Sequence, residues 1–408
     1  MGHKIVIFVG AGASRGAFSE SPLMVDYFDR AIEYAISELR TAKPNTDLLR
    51  IARAFMMLEV HGLFQTSNLR STVIAGHLWD RFRHESFWLN PGNDQDFMPT
   101  LRRYLEVWKK PGIGSDGHSR QRRENLEKTF IALDRMSDET LLDKRFRKDG
   151  ELERSIFSLF ASLYRCKPAN SHRYNHLKRI LKHCMGLLRN SHTALIVNFN
   201  YDSFMDHALY HMFTPPNTVS LYGGILEFEI ESNGIRAKTP KEKHIPIQMV
   251  KPHGSITWWY SEGGITEYAC SSIGANNCFY IPSFGQTCFF HRTKWYQPKR
   301  WIRPILTPPK PTKEYRGPCR DSLEAMLSGV HSADEIWIFG WSMPETDKEL
   351  VDAITAAVKD RSKPISRLRI VDTQSGQQNR LDENARNVFM PDYIESHWGG
   401  LETWRGWA

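Results

Sequence analysis

Residues 335–371 alternate in a way that few folds accommodate: EIWIF, a Gly-Trp-Ser turn, a helical stretch over Asp347–Lys359, then RLRIV. The helical stretch puts Leu350, Val351, Ile354 and Val358 on one face. Strand, turn, helix and strand at this spacing predict a parallel α/β sheet with crossover helices. The chain opens on a similar signal, because HKIVIFVGAGAS reads as a buried strand running into a Gly-rich turn. A helical pattern follows, with Met24, Val25, Phe28, Ile32, Ala35, Ile36 and Leu39 at helical spacing. Strand signals return at Thr193–Val197 and Ile245–Val250.

From about residue 46 to 190 the pattern is mainly helical, broken at Asn90-Pro91-Gly92 and at Pro111-Gly112-Ile113-Gly114. The expected fold is therefore a Rossmann-like parallel α/β sheet with a large helical insertion. Residues 1–45 and 191–408 form the discontinuous α/β domain in this reading, and residues 46–190 the insertion. Residues 214–244 read as mixed and turn-rich, and 258–300 as an aromatic loop-and-strand region. A Pro-rich passage, Arg303 to Pro309, leads to a helix near 320–330.

At 408 residues the chain fits one large domain or two ordinary ones. Apolar residues make up 41% and charged residues 25%, which argues against disorder or a fibre. No run approaches the roughly 20 apolar residues of a membrane span. The apolar stretch Ile5–Val9 is shorter than the about 7 residues of a signal-peptide core. The expectation is a soluble cytoplasmic protein with no membrane contact. Six cysteines without a C-x-x-C pair give no zinc ribbon or redox motif, and fit incidental thiols in a reducing compartment.

The net charge of +8 is concentrated: residues 101–190 hold 21 Lys and Arg against 11 Asp and Glu. Arg102-Arg103, Lys109-Lys110, Arg120 to Arg123 and Lys144 to Lys148 carry the excess. Such a surface can face nucleic acid or an acidic partner, and more often is a solvated helical face. No RNP-type or zinc-finger motif accompanies it.

Ligands of doubly wound sheets bind outside the carboxyl ends of the strands. Four segments put polar or Gly-rich residues at such ends. Gly10-Ala11-Gly12-Ala13-Ser14 allows a tight turn and close approach to a pyrophosphate, or a turn with no ligand. Asn198-Phe199-Asn200-Tyr201-Asp202 offers an amide and a carboxylate to a cleft, or a helix start capped by Asp202 or Ser203. Lys251-Pro252-His253-Gly254-Ser255 holds a histidine suited to general-base work or a ribose contact, or to a structural role. In Gly340-Trp341-Ser342-Met343-Pro344-Glu345-Thr346-Asp347, Ser342 or backbone N–H groups could meet phosphate.

Taken in order, GAGAS, NFNYD, KPHGS and FGWSMPETD resemble the sirtuin-like NAD-consuming superfamily, particularly its bacterial anti-phage branch. The resemblance covers roughly 1–30 and 193–375 and leaves the basic insertion unmatched. It implies a nucleotide-binding turn of Gly10, Ala11, Gly12 and Ser14. It implies an Asn-x-Asp pair in which Asn200 positions water or ribose and Asp202 lies on the nicotinamide side. His253 matches the family's catalytic histidine, Gly340 and Ser342 its second phosphate-contacting turn, and Asp372 its adenosine contact.

Two departures narrow the expected activity. The Pro-Asp-Phe-Arg element of the deacylases is missing after Ser14, where Arg15-Gly16-Ala17-Phe18 and Pro22-Leu23 stand instead. The two C-x-x-C pairs that hold structural zinc are missing too, so no metal is expected. The resemblance then implies an NAD glycohydrolase that takes NAD as substrate and acts as an NAD-depleting effector in bacterial defence. Alternatives are an NAD or ADP-ribose sensor, a nucleic-acid-associated scaffold, and an NAD-dependent deacylase. Expected partners are further copies of the chain and a HerA-type ATPase, with nucleic acid reached through that complex. The basic insertion is the expected subunit contact.

Overall fold

A computed structural model describes residues 3–17, 27–38, 52, 56, 76, 78, 97–109, 175–187, 193–202, 204–212, 219–221, 226–231, 234–238, 247–261, 271–272, 278–280, 302–307, 313–315, 317–373 and 378–407. The chain divides into two compact units, Met1–Ser21 with Lys167–Thr293 and Lys299–Ala408, and Pro22–Cys166 with Lys294–Pro298. The basic stretches at 120–123 and 144–148, the breaks at 90–92 and 111–114, and Pro22-Leu23 lie outside the described residues.

Six parallel strands form the main sheet of the first unit. In chain order they are β1 (Lys4–Val9), β2 (Thr193–Asn198), β6 (Ile247–Val250), β11 (Glu335–Phe339), β12 (Arg367–Val371) and β13 (Ile394–His397). Their spatial order is β13-β12-β11-β1-β2-β6, so the sequence runs outward from β1 in one direction and then from β11 in the other. This is the Rossmann order, with its reversal between β1 and β11. The register is continuous there: Val9 stands opposite Phe339 on one side and opposite Asn198 on the other.

Alternation along each strand sorts the side chains to two faces. Val6, Phe8, Val197, Ile336, Ile338, Leu368 and Ile370 meet the helices α6 (Pro318–Ser332), α7 (Lys348–Lys359) and α8 (Gln378–Phe389). Helix α7 contributes Leu350, Ile354 and Val358 at intervals of four, the stripe its sequence pattern requires. Each of these side chains, fully buried, stabilises the fold by roughly 1.5–3 kcal/mol. On the opposite face Trp337, Phe339 and Arg369 meet His183 of α4 (Asn175–Leu187) and the C-terminal Trp404 and Trp407. Arg179 ties this layer together by donating to the carbonyl of Trp404. Helix α1 (Ala11–Ala17) packs against α4 and α9 (Gly400–Thr403), and α4 also against α5 (Phe204–Met212).

Smaller antiparallel sheets occupy the segments between β2 and α6. One contains β3 (Val219–Leu221), β4 (Leu226–Glu231) and β5 (Gly234–Lys238), within the stretch read as turn-rich. The other has the order β10 (Ile302–Leu306), β7 (Gly254–Ser261), β9 (Cys278–Tyr280), β8 (Ser271–Ser272). The Pro-rich passage is thus a strand. Pro304 is tolerated because β10 lies at the sheet edge, with a register shift between Pro304 and Ile305. Beyond Arg367–Val371 the main sheet gains one more strand, β13, at its edge.

In the second unit, α2 (Tyr27–Glu38) and α3 (Phe97–Lys109) pack together. Tyr27, Ala31, Ile32 and Ala35 of the first are buried, as are Leu101, Tyr104 and Leu105 of the second. Among the described residues no helix is long and apolar enough to cross a membrane.

Candidate functional site

The reversal in strand order places two turns side by side, Gly10-Ala11-Gly12 after β1 and Gly340-Trp341-Ser342 after β11. They interlock through their backbones. Gly10 N–H donates to Phe339 O at 2.9 Å, Gly12 N–H to Gly340 O at 3.0 Å, and Gly340 N–H to Val371 O at 3.1 Å. Gly340 has φ +60°, and a Cβ there would overlap the backbone nitrogen of Ala13. A Cβ on Gly10 would overlap the Gly340 carbonyl. These glycines are therefore required by the approach of one turn to the other, and the Gly12 N–H already has its acceptor.

The next strand end builds onto this clasp. Asn200 is 6% exposed, and its Nδ2 donates to Gly10 O at 2.9 Å and to Ser14 Oγ at 2.8 Å. Because Gly10 O can only accept, the amide orientation is fixed, and Oδ1 is the atom left for a ligand. Asn200 N–H in turn donates to Asn198 Oδ1 at 3.0 Å. Ser14 also interacts with the Asp202 carboxylate and helps to favour its ionised form, so Ser14 is shared by both members of the Asn-x-Asp pair.

Asp202 is 2% exposed and performs the capping role its sequence allowed: its Oδ1 accepts from Phe204 N–H at 2.9 Å, at the start of α5. Burial pushes its carboxyl above the ordinary range, against the opposing pull of Lys251, Phe204 N–H and Ser14. Lys251 is itself fully buried. Its Nζ donates to the Asp202 carbonyl and lies 3.3 Å from Asp206 Oδ2.

His253 sits in the short turn between β6 and β7. Thr307 N–H donates to its carbonyl at 2.8 Å, and Gly254 follows at φ +82°. The residue is 7% exposed, and its ring lies against Phe199, with centroids 5.1 Å apart, and Tyr201, at 6.4 Å. The Tyr201 hydroxyl donates to Thr307 O at 2.6 Å, closing the frame around the turn. His253 Nε2 faces Asp347 Oδ1 at 3.4 Å, without the alignment of a hydrogen bond.

Asp347 was legible only as the last residue of the GWSMPETD segment, yet it is a centre of the network. Its Oδ1 also pairs with Lys313 Nζ, and its Oδ2 accepts from Trp341 Nε1 at 3.1 Å. Burial alone would push its carboxyl up; His253 and Lys313 outweigh that and hold it well below the ordinary range.

Asn200, Asp202, Gly10, Gly12, Ser14 and Gly340 are thus brought together, and the Trp341 side chain beside Gly340 connects to Asp347, which faces His253. Ala11 is half-buried at the start of α1, and Ser342 is exposed beyond the clasp. Asp372 directly follows β12, half-buried, with Oδ1 accepting from Thr373 N–H at 2.7 Å. Burial pushes its carboxyl up, partly offset by Thr373.

Lys313, Lys251, Asp206 and Trp341 were not foreseen as site residues. Lys251 carried a signal, a cation directly after the apolar strand IQMV; Lys313 carried none. Among the described residues no group of three or more His, Cys, Asp or Glu side chains could hold a metal ion. No protein-family model matches this chain, and no curated protein matches it.

Proposed function

We propose that the chain hydrolyses the nicotinamide–ribose bond of NAD at the crevice where the strand order reverses. The observation that carries the reading is the Asn200 amide, which bridges the Gly10 turn and Ser14 through Nδ2 and so keeps Oδ1 for a ligand. Open α/β sheets of this order receive dinucleotides at that crevice. The order of the four motifs, and their resemblance to sirtuin-like NAD-consuming enzymes, supplies the substrate class.

In this reaction the bond from ribose C1′ to the pyridinium nitrogen breaks, and its electron pair cancels the charge on the ring. A water oxygen bonds to C1′ and gives up one proton, so NAD and water yield nicotinamide, ADP-ribose and a proton. The leaving group departs neutral, so no strong acid is needed, and the transition state resembles the oxocarbenium ion of glycoside cleavage. Asn200 Oδ1 accepts from the attacking water or a ribose hydroxyl. His253 takes the proton. Asp202, buried behind Ser14, holds that frame and contributes negative potential when ionised.

Gly12 N–H is committed to Gly340, so phosphate recognition falls to the remaining groups around the two turns, Ala11 N–H and the exposed Ser342 among them. Asp372 lies at the next strand end, where the adenosine ribose would be met. As an effector the enzyme would deplete NAD in a bacterial cell under phage attack, as a homo-oligomer regulated by a HerA-type ATPase. Those partners come from the resemblance alone.

Purified protein is incubated with NAD, with and without an acyl-lysine peptide, and nicotinamide is followed by chromatography. Hydrolysis independent of the peptide, lowered by about 10²–10⁴-fold in His253→Ala and similarly in Asn200→Ala, is the expected result. Peptide-dependent release points to a deacylase. NAD binding without release, alone or with a candidate ATPase, points to a sensor.

A further inference from the structure

We propose that Asp347, held by Lys313 and Trp341, is a positioning residue that fixes the His253 ring with its proton on Nε2, leaving Nδ1 as the nitrogen that meets the substrate. The proposal rests on the functional reading above but makes a claim about His253 that can be tested without it.

Three observations carry it. Both partners are withdrawn from water, His253 at 7% and Asp347 at 4% exposure, and His253 Nε2 is the ring nitrogen that faces the carboxylate, at 3.4 Å. The carboxylate cannot turn away, because its two oxygens are held in different directions: Oδ2 by Trp341 Nε1 at 3.1 Å, and Oδ1 by Lys313 Nζ. Lys313 is itself anchored, donating to Thr346 O at 2.7 Å. The histidine backbone is fixed independently, through Thr307 N–H to its carbonyl and the turn at Gly254.

An ionised carboxylate only accepts hydrogen bonds. A neutral imidazole carries one proton, and the nitrogen facing an anion is the one that keeps it. The other nitrogen then presents a lone pair, as a proton acceptor requires. Asp347 is held as a carboxylate by Lys313 Nζ on Oδ1 and by Trp341 Nε1 on Oδ2. The 3.4 Å separation fits a contact that tightens when substrate binds or when the ring takes a second proton. Lys313 has its own part: it balances the carboxylate charge, so the pair orients the ring as a dipole more than it attracts a proton as a bare anion.

The alternative is that Lys313 and Asp347 merely tie the segment before α6 to the start of α7. A buried ion pair can often be replaced by apolar residues with little loss of stability, and this separates the two roles. In the double variant Lys313→Met with Asp347→Leu the tie becomes a hydrophobic contact, while the carboxylate facing His253 is gone. We expect this variant to fold cooperatively and to lose about 10²-fold in kcat with KM within a few-fold of the parent. Lys313→Met alone keeps the carboxylate and should lose less than the double variant.

The direct readout is the ring itself. Histidine-selective 15N spectra, assigned by comparison with His253→Gln, should show His253 protonated on Nε2 in the parent. A parent protonated on Nδ1, or a folded double variant with the parent's kcat, overturns the proposal. If the double variant does not fold, the parent spectrum decides. If the protein does not hydrolyse NAD, the functional reading fails while the spectrum still tests the positioning.

Discussion

Asn200 Nδ2 donates to the carbonyl of Gly10 at 2.9 Å, across 190 residues of chain. The first strand end and the second are thereby joined by a side chain whose remaining polar atom has one direction to point. Asn200→Asp removes both donors and sets a carboxylate against the Gly10 carbonyl. It should cost about 1–3 kcal/mol of stability and lower nicotinamide release by roughly 10²-fold or more. Urea unfolding and the NAD assay measure the two effects separately.

The interlocked turns leave no room for a methyl group. Gly340→Ala combines an unfavourable φ with overlap on the Ala13 backbone and should destabilise by about 2 kcal/mol or more. Gly186, near the end of α4, has open space where a Cβ would go. Gly186→Ala should stabilise by roughly 0.5–1 kcal/mol. Thermal unfolding of the pair gives shifts of opposite sign.

Two buried carboxylates impose opposite pH dependences. Asp347 has a depressed value, so its contribution is complete above the ordinary 3.8 and is lost as pH falls through its folded-state value. Asp202 has a raised value, so the folded state binds more protons than the unfolded one from 3.8 upward, and stability falls as pH rises through that window. Across it, the stability of Asp202→Asn relative to the parent should improve with rising pH. Urea midpoints measured from pH 3 to 7 should trace that trend, and a parallel pair of curves would contradict it.

Burial pushes the Cys184 thiol up to about 12. The folded protein should therefore leave it unmodified by iodoacetamide at pH 8, where an ordinary exposed thiol reacts. Peptide mass spectrometry before and after denaturation reads this directly.

The strands EIWIF and RLRIV could be read to the residue because each gathers three or more aliphatic or aromatic residues within five positions bounded by polar or Gly residues. Ile394–His397 could not: IESH holds one aliphatic residue, and all four positions are only half-buried at the sheet edge. Proline hid Ile302–Leu306, since an edge strand tolerates what an inner strand forbids. Asn200, Asp202 and His253 were visible because they directly follow apolar runs at strand ends. The periodicity of Asn175–Leu187 marks a helix but gives no sign that it lines the sheet. Lys313 was invisible for a different reason: it meets Asp347 across 34 residues, and nothing local marks a lysine that will be buried beside a carboxylate.

The strand at the middle of the sheet is the first one synthesised. KIVIFV leaves the ribosome well before residue 193 begins its neighbour on one side, and longer still before residue 335 begins the other. Until then an aliphatic ribbon with two unpaired edges has to be kept from other chains. Expression yield should therefore depend on chaperone supply and elongation rate more than the stability of the finished molecule would suggest.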